Sequence, residues 1–76
     1  DFVGIFLKRY VERTQNSSDV ICGSDLYARF KIFYVENYQE PNRLKFETFV
    51  TVVSSNLGDT IPLERNKEGW TNIVFI

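Results

Sequence analysis

Residues 61–76 read IPLERNKEGWTNIVFI, and this stretch decides the fold. Two apolar pieces, residues 61–65 and 70–76, flank the polar letters NKEG, and Asn and Gly suit a four-residue hairpin loop. Pro62 restricts the first piece to a strand start or a sheet edge. We therefore expect a C-terminal β-hairpin. In its second strand, alternation predicts that one face is formed by Trp70, Asn72, Val74 and Ile76.

Two helical patterns precede the hairpin. Apolar residues at helical spacing predict a first helix over residues 2–14. A short strand or extended connector at residues 20–22 follows a polar loop. Ser24 is a suitable N-cap for a second helix over residues 25–38. Pro41 cannot lie inside a helix, so the second helix must end before it.

The segment FETFVTVVSS, residues 46–55, fits two structures. Residues 50–53 are all β-branched, which suits a strand. A helical stripe is formed by Phe46, Phe49, Val50 and Val53. We predict a third helix, because Asn42 can cap it and Gly58 can end it. Three helices, a short strand after the first, and a C-terminal hairpin wing predict an α+β winged helix that spans residues 1–76 as a single domain.

The composition limits the chemistry of this 76-residue chain. It has no His and only one Cys, so no zinc-ligand spacing and no internal disulfide is possible. No glycine loop of the phosphate-binding kind is present. We therefore expect no catalytic residue, no metal and no cofactor, and no enzymatic activity of the domain itself.

The cellular setting is also an expectation from the sequence. No apolar run is long enough to cross a bilayer, and the first residues do not resemble a secretory signal. We expect no membrane contact and no secretion; cytoplasm and nucleus are equally compatible, and either could include a viral replication site. Because the chain contains no Met, even at position 1, we expect it to be a piece of a larger protein.

Winged helices usually bind nucleic acid, and the residues that could do so lie in two places. Hydroxyl groups bond well to phosphates and to base edges, and lysine and arginine neutralise phosphates. The candidate contacts are Lys45, Thr48, Thr51 and Ser55 on the outward face of the third helix, with Arg65 and Lys67 on the wing.

The charge balance sets an expectation for affinity. Dedicated nucleic-acid binders carry a basic excess, whereas this chain has a formal net charge of −1. Between residues 43 and 68 the number of basic residues equals the number of acidic residues. We therefore expect any binding to be weak and salt-sensitive, or to need help from the rest of the larger protein.

The second helix carries apolar residues outside its main stripe. Ile32 and Val35 fall on a different side from the aromatic residues of that helix. One interpretation is a central helix that neighbours cover from two directions. The alternative is that Ile32 and Val35 are exposed and dock a protein partner.

Several residues resemble a known family. The segment 24–30, SDLYARF, opens a helix with a Leu-Tyr-x-x-Phe core, Pro41 follows it, and Phe46 lies in the next helix. The chain closes with Arg65 and the element GWTNI at residues 69–73. This pattern resembles the C-terminal winged-helix domain of poxvirus-type primase–helicases of large DNA viruses, phages and mobile elements. The outline is more distantly similar to the regulatory factor X DNA-binding domain.

The resemblance implies a domain that follows a ring-forming replicative ATPase and engages DNA. It implies DNA, as duplex or fork, and the neighbouring ATPase domain as partners. Three functional hypotheses follow. The domain is a DNA-binding accessory domain of a replication helicase, a protein-interaction winged helix that uses Ile32, Val35 or the hairpin edge, or a structural cap on its parent protein.

Overall fold

The computed structural model describes residues 1–76 as an α+β domain of three helices and two small antiparallel sheets. One sheet has the strand order β2-β4-β3, and the other pairs β1 with β5. The predicted α+β class, the three helices and the strand at residues 20–22 are confirmed. The helices are α1 (Phe2–Tyr10), α2 (Gly23–Tyr38) and α3 (Phe46–Leu57). The strands are β1 (Val11–Arg13), β2 (Val20–Cys22), β3 (Ile61–Pro62), β4 (Glu68–Thr71) and β5 (Ile73–Phe75), with a 3-10 turn at Glu64–Asn66.

Helix α1 is shorter than the predicted range 2–14. It begins after Asp1, whose carboxylate caps it, and it ends at Tyr10. The next three residues form β1, which pairs with β5. The carbonyl of Tyr10 accepts a hydrogen bond from the amide of Ile76 at 2.9 Å. The end of the predicted helix is therefore wrong, because hydrogen bonds to the far end of the chain replace the helical ones.

Helix α2 begins at Gly23, before the predicted start, and Ser24 lies inside it. Strand β2 runs directly into the helix, with Cys22 at the N-cap position and no side-chain cap. Gly23 is buried against β4, and a Cβ placed on it would be in ordinary van der Waals contact with the carbonyl oxygen of Glu68, at 3.5 Å. The predicted cap is wrong because the packing of β2 on β4 sets where the helix begins. The predicted end at Tyr38 is confirmed.

Helix α3 confirms the helical interpretation of the ambiguous segment. Phe49 and Val53, one turn apart, are both fully buried, so the apolar stripe outweighs the β-branched composition. The helix starts at Phe46, and the predicted cap at Asn42 is wrong: its side-chain oxygen accepts from the amide of Leu44 in the preceding loop. Gly58 ends the helix as predicted, with a φ of 94° that favours glycine.

The C-terminal hairpin is smaller than predicted. Strands β3 and β4 pair antiparallel, with Pro62 opposite Glu68, so the loop spans residues 63–67 and not 66–69. The second predicted strand, residues 70–76, is divided into β4 and β5. Strand β4 pairs with β2 and β3, whereas β5 pairs with β1.

Asn72 is the point at which the last strand divides. It has a φ of 61°, in the left-handed region. Its carbonyl accepts from the amide of Thr14, and its amide donates to the carbonyl of Asp19, both at 2.7 Å. This turn resets the alternation, so that Trp70 and Ile73 are both buried. The predicted assignment of alternate residues to opposite faces is therefore wrong beyond Asn72.

The core holds α3 against both the other helices and the sheet. The ring of Phe30 lies 5.5 Å from that of Phe6 and 5.0 Å from that of Phe49, so one aromatic chain joins the three helices. Trp70 donates its indole N–H to the carbonyl of Gly58 at 2.9 Å, which fixes the end of α3 to β4. The buried residues are Val3, Phe6, Leu7, Ile21, Leu26, Phe30, Phe33, Phe49, Val53, Trp70 and Ile73.

Candidate nucleic-acid interface

The outward face of α3 carries the four helix residues that the sequence singled out. All four are exposed. Thr48, Thr51 and Ser55 are spaced three or four residues apart, so they lie along one side of the helix, away from the buried Phe49 and Val53. Lys45 precedes the helix, one turn before Phe49, and extends from its first turn. The residues are Lys45 at the N-cap position, Thr48, Thr51 and Ser55.

Two of the three hydroxyl groups on this face already donate a hydrogen bond within the helix. Thr51 donates its hydroxyl to the carbonyl of Glu47 at 3.1 Å, and Ser55 donates to the carbonyl of Val52 at 2.6 Å. In this conformation the two oxygens are free to accept, for example from a base amino group. To donate to a phosphate, each hydroxyl must first leave its helical carbonyl.

The wing, defined as residues 61–71, carries the other two candidates, Arg65 and Lys67. Both are exposed in its loop. Arg65 has φ 62° and ψ 38°, and Asn66 has φ 59°, so two consecutive residues are left-handed. The loop is closed by a bond from the amide of Leu63 to the carbonyl of Lys67 at 2.7 Å. The tight turn presents Arg65 at the tip of the wing.

Two clefts flank the wing: both of its cations border the first, and only Lys67 lines the second. The larger groove on one side, about 770 Å³, is bordered by Val20, Arg65 and Lys67. The other, which we call the wing cleft, has a volume of about 650 Å³ and lies between the wing and the first turns of α2 and α3. Lys67 therefore meets the start of α3, whereas Arg65 does not. The wing cleft is lined by Ser24, Phe46, Thr60, Pro62, Leu63, Asn66, Lys67 and Glu68.

Acidic residues accompany the basic ones in three dimensions as well as in the sequence. Glu68 lies in the wing cleft beside Lys67, and its carboxylate accepts a hydrogen bond from the hydroxyl of Thr60 at 3.1 Å. Glu64 lies next to Arg65 in the loop. The candidate interface is thus mixed in charge and forms no continuous basic patch.

Two residues near this surface were not singled out from the sequence. Arg13 reaches the end of α3, where its guanidinium donates to the carbonyl of Asn56 at 2.8 Å. No local signal identifies it, because the contact depends on β1 being a strand. Phe46 belongs to the apolar stripe of α3, yet the residue is 37% exposed and lines the wing cleft. Its position at the first residue of the helix explains that exposure.

The alternative protein-interaction residues lie elsewhere. Ile32 and Val35 on α2 are 56% and 48% exposed. Ile32 borders a small cavity of about 110 Å³ between α1 and α2, together with Phe6 and Tyr10. The interpretation of α2 as a helix covered from two directions is therefore wrong at these two positions, because no element of the domain covers them.

Comparison of the chain with protein-family models, with curated proteins and with solved structures found no match. No cluster of three or more His, Cys, Asp or Glu side chains is arranged to hold a metal ion. The longest helix, α2, has 16 residues, and no helix has the length and apolar character needed to cross a membrane.

Proposed function

We propose that this domain is a winged helix that binds DNA through the outward face of α3 and the wing. Strand β2, which lies between α1 and α2, and the C-terminal hairpin form one sheet, in the order β2-β4-β3, and α3 directly precedes the hairpin. This arrangement supports the winged-helix assignment. The observation that carries the DNA-binding proposal is the exposed polar face of α3, with Lys67 of the wing facing the start of that helix across the wing cleft.

The proposed contacts follow from the shape of DNA. The major groove is about 12 Å wide and admits an α-helix. Helix α3 has 12 residues and is about 18 Å long, enough to lie across several base pairs. Lys45, Arg65 and Lys67 neutralise phosphates, and the hydroxyls of α3 bond to phosphates or base edges. Arg13 bonds to the carbonyl of Asn56 at the other end of α3 from Lys45, and it adds a positive charge near that end of the helix.

The test is fluorescence anisotropy of labelled duplex and single-stranded DNA at low and physiological salt. One variant combines Lys45→Ala, Arg65→Ala and Lys67→Ala. The matched control combines Lys8→Gln, Arg9→Gln and Arg29→Gln, which removes three positive charges from the α1 and α2 side of the domain. We expect salt-sensitive binding that the first variant loses and the control retains.

Two results would contradict the proposal. Equal losses in the two triple variants would mean that only the overall charge matters and that α3 and the wing form no site. An absence of binding at low salt would remove DNA as a ligand of the domain.

We further propose, from the resemblance carried by residues 24–30 and 69–73, that the domain is an accessory part of a viral or mobile-element replication primase–helicase. The neighbouring ATPase domain of such a protein is then its partner, and forked DNA is the DNA structure that we expect the domain to bind. The same anisotropy assay with forked and fully paired DNA tests this. Tighter binding to the fork supports a replication role, and a preference for the intact duplex counts against it.

A second candidate function is protein docking through α2. It is favoured by the exposure of Ile32 and Val35, 56% and 48%, on a surface that no other element covers. We expect self-association, or association with the neighbouring ATPase domain, that Ile32→Glu and Val35→Glu abolish without loss of folding. Sedimentation velocity over a range of concentrations measures this. A strictly monomeric domain that binds the ATPase domain equally well with either substitution would contradict it.

A further inference from the structure

Phe46 is held at the edge of the wing cleft by packing on one side only. Its ring meets the ring of Tyr27 edge-on, with a centroid distance of 5.4 Å and an interplanar angle of 65°. Gly23 lies behind it: a Cβ at that position would be 3.4 Å from Cζ of Phe46. The residue is 37% exposed, and it lines the cleft. Phe46 therefore offers a fixed aromatic surface to a ligand.

The other groups in the wing cleft suit a nucleotide. Lys67 supplies a positive charge, and Asn66 supplies an amide that can both donate and accept. The hydroxyl of Ser24, 3.3 Å from Sγ of Cys22, keeps one further hydrogen-bonding position for a ligand. Thr60 and Glu68 already bond to each other on the same wall. The volume, about 650 Å³, falls within the roughly 300–1,000 Å³ of small-molecule sites. An aromatic surface beside a cation is the combination that binds unpaired nucleic-acid bases.

The wing cleft lies where a DNA strand could leave the duplex that α3 is proposed to bind. It opens at the first turn of α3, next to Lys45, the first residue of the proposed duplex contact. A base inside a duplex has both faces stacked and cannot present one to Phe46. A strand that leaves the duplex at this point could place its first unpaired base in the cleft while α3 holds the paired part.

We propose that the wing cleft binds one unpaired nucleotide of a DNA strand, with its base stacked on Phe46 and its phosphate neutralised by Lys67. This inference rests on the proposed DNA-binding function. It gives that function a ligand: DNA at a junction between paired and unpaired strands, which the domain distinguishes from continuous duplex.

The experiment compares two labelled probes in the anisotropy assay, an intact duplex and the same duplex with one unpaired nucleotide. We expect the unpaired probe to bind about tenfold more tightly, the effect of one base–aromatic stack. Phe46→Leu should remove this tenfold difference and leave duplex binding unchanged. Phe46→Tyr should retain the difference, because it keeps the ring. Phe2→Leu alters another exposed phenylalanine, which lies outside the cleft, and should have no effect.

Because Phe46 also contacts Tyr27, Phe46→Leu could change the fold as well as the cleft. A second variant therefore blocks the cleft without altering Phe46. Ser24→Leu starts from an exposed helical position and fills the cleft with an apolar side chain. It should remove the preference for the unpaired probe while the thermal midpoint stays unchanged. In nuclear magnetic resonance spectra, the ring protons of Phe46 should shift upfield only when the unpaired probe is bound.

The outcomes separate this inference from the function on which it rests. Equal affinity for the two probes, with both lost in the Lys45, Arg65 and Lys67 triple variant, would overturn the cleft and leave the DNA-binding proposal standing. A preference that survives both Phe46→Leu and Ser24→Leu would also overturn the cleft. Binding of neither probe would overturn both proposals.

Discussion

At the scale of single residues, Arg65 is in the least favourable backbone conformation of the candidate site. Its φ of 62° and ψ of 38° place it in the left-handed region, which costs an ordinary L-residue roughly 1–2 kcal/mol. Asn66 beside it is also left-handed, but Asn tolerates this conformation well. A glycine at position 65 would have the more favourable backbone conformation, and an arginine there is consistent with the proposed role of its side chain in binding phosphate.

Replacement of Arg65 by Gly should raise the free energy of unfolding and lower DNA affinity at the same time. Relief of the left-handed conformation should add about 1 kcal/mol, a rise of about 4–8 °C in the thermal midpoint of a domain this small. The matched control is Lys67→Gly, where φ is −93° and no strain is relieved. Thermal unfolding of both variants checks this. An Arg65→Gly protein that is destabilised as much as Lys67→Gly would contradict it.

At the scale of the elements, the close pairing of β2 with β4 fixes the position of the wing relative to the rest of the sheet. Gly69 lies opposite Cys22 in this pairing. A Cβ at Gly69 would collide with the carbonyl oxygen of Ile21 and would lie 2.6 Å from Cα of Cys22. These are backbone atoms, so no side chain can move aside. The absence of a Cβ at position 69 is therefore a condition for the wing to stand where it does.

The same substitution at two glycines should have opposite effects. Gly69→Ala should lower the free energy of unfolding by about 3 kcal/mol, because the added methyl group forces the strands apart. Gly4→Ala, inside helix α1, would bring its Cβ into ordinary contact with Oδ2 of Asp1, at 3.4 Å, and near no backbone atom outside the helix. It should raise stability by about 0.5–1 kcal/mol through helix propensity. Urea unfolding of the two proteins measures both effects, and a tolerated Gly69→Ala would show that the pairing is looser than described.

At the scale of the whole molecule, the chain is nearly neutral, so only a few charges are available for the proposed contact with DNA. The formal net charge is −1, and the candidate interface mixes acids with bases. In the proposed complex, long-range attraction to DNA is therefore small, and the affinity would depend on the particular phosphates that Lys45, Arg65 and Lys67 reach. The shape of the exposed helix, the wing and the cleft between them would have to supply the remainder of the binding free energy.

The salt dependence of binding should report that small number of contacts. Each phosphate that is neutralised contributes about −0.9 to the slope of log K against log salt for duplex DNA. Three contacts predict a slope of roughly −2.7, and each single substitution of a contacting base by Ala should reduce it by about 0.9. Anisotropy titrations at several salt concentrations measure the slope. A slope that is unchanged in all three single variants would mean that other bases, such as Arg13, make the contacts.

The sequence by itself determined the features that depend on neighbouring residues. Helical periodicity correctly predicted α3 in a β-branched segment, because Phe49 and Val53 recur on one buried side. The end of α3 at Gly58 and the end of α2 before Pro41 follow from the backbone preferences of those residues. The same periodicity leaves the polar residues of α3 on its exposed side, so the helix part of the candidate interface was predictable.

Tertiary structure decided the features that require a distant partner. Helix α1 ends at Tyr10 because β5 supplies hydrogen bonds from the other end of the chain. The last strand divides at Asn72 because the loop between β1 and β2 bonds to both of its backbone groups. The wing cleft likewise joins the first turns of two helices to a hairpin. A local pattern carries no information on which distant backbone group satisfies a given N–H or C=O, so only the folded chain brings these groups together.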